Sequence, residues 1–234
     1  MNKIVIAIDS FKGCLTSEEA GIAVMKGIKT IFPDCEILLF PIADGGEGML
    51  DVLISATQGK YRTLPAHGPL MELIQTQYGI SGDGQTALIE MAAISGLPLV
   101  PEEKRNPMLT TTYGTGELIL DALEQGCRRF IVGIGGSATN DAGLGMLQAL
   151  GFRFLDKRGN LLGTGGKIMS QVASIDTSAV HPALKETRFT IACDVHNPFC
   201  GSDGAAYIFA PQKGADARMV KELEAGMQAL SQVI

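Results

Sequence analysis

Three carboxylates in this chain stand where an apolar run gives way to a loop: Asp9 after KIVIAI, Asp44 after EILLFPI, and Asp194 after FTIAC. Two lysines, Lys12 and Lys213, also lie in loops. Between them runs a glycine loop, Gly133 to Gly136, followed by Ser137, Thr139, Asn140 and Asp141. Carboxylates, cations and a glycine loop are the parts that phosphoryl transfer calls for. It requires positive charge on the phosphates, an acid to hold Mg²⁺ and a base near the attacking hydroxyl. Any one strand-end acid could instead cap a turn or helix. Several glycine loops with acids in one chain favour function.

The elements that must position these groups are legible in the pattern. Phe130 to Ile134 is uniformly apolar, as in a strand covered on both faces. Gly135 and Gly136 permit a tight turn and close approach to a ligand. Thr139 or Asn140 is expected to cap a helix through Leu144, Met146, Leu147 and Leu150 that stops at Gly151. Amides at that helix start would face an anion, and Asp141 would hold a cation against it.

Upstream, Lys3–Ile8 reads as a strand that delivers Asp9 and Ser10 to its C-terminal end, where open α/β sheets bind ligands. Thr16 and Glu19 have capping-box spacing for a helix ending before Pro33. A second strand, 36–42, leads to Asp44, Gly45 and Gly46, and a second helix covers 49–57. Two βα units predict a parallel sheet with right-handed crossovers. After Gly59 the elements shorten into strands joined by Gly/Asp turns, which places a domain junction near residue 65. Glu90 and Met91 read as the opening of a short helix, and a hydroxyl-rich loop, 110–117, enters another.

Composition narrows the function. The net charge is −6 with scattered Lys and Arg, which argues against nucleic-acid binding. No apolar run approaches the ~20 residues of a membrane span, and MNKIVIAIDS lacks a cleavage pattern, so a cytoplasmic protein without membrane partners is expected. Five irregularly spaced cysteines fit reduced thiols. The oligomeric state stays open, a homo-oligomer included.

GTGGK at 163–167 lacks the spacing of a P-loop, and Ile168 replaces the Mg²⁺-binding Ser or Thr. Gly133, Gly135 and Ala138 match GxGxxA, with Asp156 after the next strand, so an NAD-dependent oxidoreductase using GIGGSA at 133–138 is the alternative reading. Against it, Asp141 would repel a pyrophosphate at the helix start, whereas a metal would relieve that conflict. His196 between Cys193 and Cys200 matches no zinc spacing.

The motifs DSFKGCLTS at 9–17, PIADGGEG at 41–48, IEMAAISGLPL at 89–99, NPMLTTTYGTGEL at 106–118, IGGSATNDAGLGMLQALG at 134–151, ACDVHNPFCGSDGAA at 192–206 and APQKGA at 210–215 closely resemble the bacterial type I glycerate kinase family, in order along essentially the whole chain. The resemblance implies an α/β fold of two domains, with a parallel Rossmann-like N-terminal domain (residues 1–65, completed in the family by C-terminal residues), a second mixed α/β domain (66–234) and the active site in the cleft between them. It implies transfer of the ATP γ-phosphoryl group to D-glycerate with Mg²⁺, 2-phosphoglycerate being the usual product. The family's chains continue past the equivalent of Ile234. This chain is therefore expected to be a truncated form with exposed sheet edges, and a non-catalytic fragment that binds a ligand or partner is a further alternative.

Within the kinase reading, Asp194 is the expected base, with Lys12 and Asp44 as the other catalytic groups. Asp44 or Asp141 would hold Mg²⁺. Asp9, Ser10, Lys12, Gly45, Gly46, Thr115, Gly135, Gly136, Ser137, Thr139, Asn140 and Lys213 would bind substrate or phosphate.

Overall fold

A computed structural model describes residues 3–11 and 14–234. Lys12, expected at the site, lies outside the described residues.

The chain folds as α/β, with a small parallel lobe followed by a larger mixed one. In the first lobe β1 (Lys3–Ile8) pairs in parallel with β2 (Glu36–Pro41), Lys3 opposite Glu36 and Ile8 opposite Pro41. The crossover is α1 (Ser17–Ile31), which begins with the expected capping box of Thr16 and Glu19 and ends before Pro33. Ser17 Oγ donates to the Ile8 carbonyl and accepts from Ile42 N at 3.1 Å, so the start of the helix ties the ends of both strands. Val5 and Phe40 on this two-stranded sheet are exposed.

The larger lobe is built on a five-stranded sheet in the order β3, β4, β5, β6, β9. The hairpin of β3 (Lys60–His67) and β4 (Leu73–Ile80) and the pair β4 with β5 (Thr86–Glu90) are antiparallel. From β5 to β6 (Arg129–Gly133) and on to β9 (Arg188–Ala192) the strands run parallel. Two faces of this sheet are packed. On one, α4 (Tyr113–Glu124) buries Leu118, Ile119, Ala122 and Leu123 against Tyr78, Ile89, Phe130 and Val132. On the other, α2 (Met49–Thr57) buries Leu50 and Ile54 against Leu88 and Ile131. The alternation of Phe130 and Val132 with Ile131 feeds both layers, which is why the run reads as continuously apolar.

Residue 65 falls inside β3, and α2 packs on the second sheet although its sequence continues from the first lobe. Periodicity showed that α2 is amphipathic but not which sheet receives its apolar face.

A second core lies beyond β6. It joins α5 (Leu144–Ala149), the antiparallel pair β7 (Arg153–Leu155) and β8 (Ser174–Asp176), α6 (Ala205–Phe209) and α7 (Ala217–Leu230), with Leu144, Phe154, Met169, Leu223 and Leu230 buried among them. The short α3 (Ala92–Ser95) follows β5, so Glu90 closes the strand and does not open the helix. No helix among the described residues is long and apolar enough to cross a membrane.

Helix α4 reaches α5 through Gly116, where a Cβ would collide with the Met146 carbonyl oxygen and lie 2.7 Å from Ala149 Cβ. Gly27 in α1 has no atom within 4 Å of a Cβ. Alanine normally stabilises a helix by about 1 kcal/mol over glycine, whereas overpacking costs about 1–3 kcal/mol. Thermal melts should show Gly27→Ala raising Tm by about 2–4 °C and Gly116→Ala lowering it by a similar or larger amount.

Candidate active site

The three parallel strands of the larger sheet end on one line. Glu90 of β5 is opposite Gly133 of β6, which is opposite Ala192 of β9. Loops leaving such an edge converge by geometry alone, and ligands of α/β sheets bind there. Here the loop after β6 meets the loop that follows β2. Gly135 N donates to Gly45 O at 3.3 Å, and Ile134 N donates to Ala192 O at 3.4 Å.

The glycines here leave no room for side chains. A Cβ on Gly135 would lie 2.8 Å from Gly46 Cα, and one on Gly45 would lie 2.7 Å from Ala192 O. Gly45 also adopts φ +90°, a conformation that suits glycine. The two glycine loops therefore lie backbone on backbone, and they bring Asp44, Gly45, Gly46, Gly135, Gly136 and Ser137 together with the chain leaving β9 toward Asp194. Asp44 accepts from Gly46 N at 2.9 Å through Oδ1 and is half-buried, whereas Asp194 is exposed.

Lys213 lies beneath this cradle. It ends a 3-10 turn, Pro211–Lys213, and the left-handed Gly214 that follows packs on the Arg105 backbone. Its Nζ donates to Ser137 Oγ at 2.7 Å and to the Thr139 carbonyl. The side chain is only 7 % exposed, and burial pushes its pKa down to about 8, with Asp141 opposing the shift.

Asp9 and Ser10, at the end of β1, face a cavity of about 1080 Å³. Glu47, Gly48, Asp51 and Glu90 line it from the side of the larger sheet.

Other expected ligands turn inward. Asp141 is 1 % exposed, and its carboxylate accepts from Thr112 N at 2.8 Å, Thr112 Oγ1 at 2.9 Å, Gly143 N at 3.1 Å and Gly145 N at 3.3 Å. Both oxygens are engaged by the protein, so this acid anchors the 111–112 turn to α5 and is not placed as a metal ligand. Thr115 is buried within α4 against Ser95 Oγ at 2.9 Å. Asn140 is buried with Nδ2 on Met227 Sδ at 3.5 Å, and Thr139 contributes its carbonyl to Lys213. Neither Thr139 nor Asn140 caps α5, whose N-cap is the left-handed Gly143. Hydroxyl and amide types were legible in the sequence; the direction in which they point was not.

The same facts remove the basis of the dinucleotide reading. A pyrophosphate site needs a helix starting directly at the glycine loop. Here α5 starts at Leu144, and the loop at Gly135 is packed on Gly46. Asp156 fastens its own turn by accepting from Arg158 N and Asn160 N at 2.7 and 2.9 Å.

Glu90, which the sequence reading did not single out as a site residue, also closes a strand at this edge. It is 8 % exposed, and its Oε2 accepts from Gly48 N and Leu50 N, each at 3.1 Å. Burial raises its pKa, while the amide bonds pull the other way. The rule that picked out Asp9, Asp44 and Asp194, an acid closing an apolar strand, would have found it.

A family profile described as the glycerate kinase family matches residues 4–234. The glycerate kinase of Haemophilus influenzae is 51% identical over 231 residues, and the glycerate 2-kinase of Escherichia coli is 52% identical over 232. Each alignment takes in 99% of this chain and 61% of the relative, so the chain spans about three fifths of their length. A solved structure from Salmonella typhimurium LT2, described as a glycerate kinase 2, superposes with a TM-score of 0.88 at 45% identity, covering 99% of this chain and 62% of that one.

The depressed pKa of Lys213 makes a signed prediction. Unfolding returns the amine to its ordinary value of about 10.5, so between about pH 8 and 10.5 the unfolded chain binds more protons than the folded one. Stability from this group then rises with pH. Denaturant melts should show the wild type gaining on Lys213→Met by up to ~1.4 kcal/mol per pH unit across that window. A constant difference would overturn the assignment of a buried amine to this position.

Proposed function

The chain belongs to the glycerate kinase family, and from that premise we propose that the protein transfers the γ-phosphoryl group of ATP to D-glycerate, with Mg²⁺, giving 2-phosphoglycerate. The observation that carries the reading is the backbone contact of the two glycine loops beside Ala192, with the Lys213 ammonium buried beneath Ser137. The position of transfer follows the name of the Escherichia coli relative, a glycerate 2-kinase.

Phosphoryl transfer leaves the protein little covalent chemistry, so positioning and charge do most of the catalysis. Loop amides and Ser137 offer donors to phosphate oxygens. Lys213 supplies a positive charge that needs no reorganisation during reaction, because Ser137 and Thr139 already hold it. An arriving phosphate raises the lysine pKa back toward its ordinary range and keeps it protonated at neutral pH.

Asp194, on the exposed loop beyond β9, takes the proton of the attacking glycerate hydroxyl. As the hydroxyl oxygen bonds to phosphorus, the bond to the ADP oxygen breaks and ADP leaves with that electron pair. Asp9 and Ser10, at the end of β1, contact the substrates from the first lobe, and Lys12, which follows in sequence, is expected to pair with phosphate.

The donors fit Mg²⁺ in the way kinases commonly use it. Among the described residues no three His, Cys, Asp or Glu side chains converge as a metal cage. Mg²⁺ needs only one or two carboxylates when substrate phosphates and water complete its shell. Asp44, on the glycine loop, is the carboxylate that would hold it. When bound, the ion neutralises charge on the phosphates.

A coupled ADP-release assay with D-glycerate and MgATP tests the reading, run on this chain and on a form extended to the length of the relatives. Turnover is expected from the extended form, and ³¹P NMR of the product should show phosphate at the 2-position. In the active form, Asp194→Asn should lower kcat by about 10²–10⁴-fold. No turnover by either form would overturn the kinase reading, and near-normal kcat in the variant would remove Asp194 from the role of base.

A further inference from the structure

Glu90 has no part in the chemistry above, yet it is tied to both glycine loops. Its backbone is in register with Gly133, and the next residue, Met91, donates its N–H to the Gly133 carbonyl at 2.9 Å. Its side chain reaches the other loop, where Oε2 accepts from Gly48 N and Leu50 N. These amides flank the start of α2, whose N-cap Gly48 is left-handed and has no side-chain cap of its own. A helix start needs acceptors for its first amides, and the negative charge there also opposes the helix dipole. Glu90 meets both needs from a different strand.

We propose that Glu90 is a positioning residue for phosphoryl transfer: by fastening the first turn of α2 to the end of β5, it holds the loop that carries Asp44 in register with the loop at Gly135 and Ser137. The inference rests on the kinase reading. Chain connectivity alone leaves the Asp44 loop attached at one end to β2 of the small lobe and at the other to α2. The carboxylate makes the second attachment rigid at the edge of the sheet where the cradle forms. Glu90 acts at one remove, since its oxygen is taken by amides.

Burial makes this role costly to abandon and sensitive to geometry. An acid buried beside two protein amides is compensated by those bonds, and losing the acceptor leaves two donors unpaired in a desolvated place. A displacement of about 1 Å at a reacting group is enough to reduce a rate by about 10²-fold. Because a single oxygen takes both amides, glutamine can reproduce the contact with its carbonyl and alanine cannot.

The test compares Glu90→Ala and Glu90→Gln in the extended chain, reading steady-state kinetics alongside amide hydrogen exchange of residues 44–50. Glu90→Ala is expected to lower kcat by about 10- to 100-fold with KM for MgATP and glycerate changed less than about threefold, and to lose exchange protection at Gly48 and Leu50. Glu90→Gln is expected to restore both. Should Glu90→Ala not fold, Glu90→Asp, which withdraws the carboxylate by one methylene, replaces it with the same expected loss. Lost protection with wild-type kcat would make Glu90 a helix cap only and overturn the proposal, as would unchanged protection in Glu90→Ala. Wild-type turnover, measured in the same series, separates failure of this inference from failure of the kinase reading.

Discussion

The contact between the backbones of Gly45–Gly46 and Gly135 is the constraint on which the rest of the site depends. Two loops from different lobes approach to 3.3 Å between Gly135 N and Gly45 O, and a Cβ on Gly135 would lie 2.8 Å from Gly46 Cα. Once the loops meet, the strand ends beneath them are fixed by sheet register, with Glu90, Gly133 and Ala192 abreast. The groups proposed to touch phosphate or metal sit on these two loops, on the Lys213 turn beneath them and at the end of β1. The glycines thus serve the meeting of two loops.

Charges buried around this contact are held in three different ways. Asp141 is surrounded by donors from the 111–112 turn and the start of α5, and organises the protein. Lys213 is held by two oxygens, and its lowered pKa records that dehydration outweighs the help of Asp141. Glu90 is held by two amides, with burial raising its pKa. Buried charge normally costs several kcal/mol unless it is compensated.

The two lobes differ in how completely they are packed. The larger sheet has helices on both faces, whereas β1 and β2 form a pair with Val5 and Phe40 exposed. Helix α2 joins the lobes by following the first in sequence and packing on the second in space. The cavity between Asp9 and Glu90 lies across that junction, so both lobes contribute residues to its wall.

The sequence by itself determined most of the elements, because periodicity, capping and glycine placement are local. Lys3–Ile8, the Thr16–Glu19 capping box and the helix at 49–57 stand where their patterns put them. It also determined the family, through motifs long enough to identify, and the glycine loops that form the cradle. Tertiary structure decided which side chains face outward. Asp44 and Asp141 are both acids beside glycines, yet one is half-buried on the cradle and the other is enclosed by donors, a difference set by residues about 30 positions away in sequence. It decided which sheet receives α2, because an amphipathic helix states that it needs a partner without naming which sheet supplies one. It placed Glu90 between two loops, a position fixed by strand register, and register is the pairing of residues far apart in the chain.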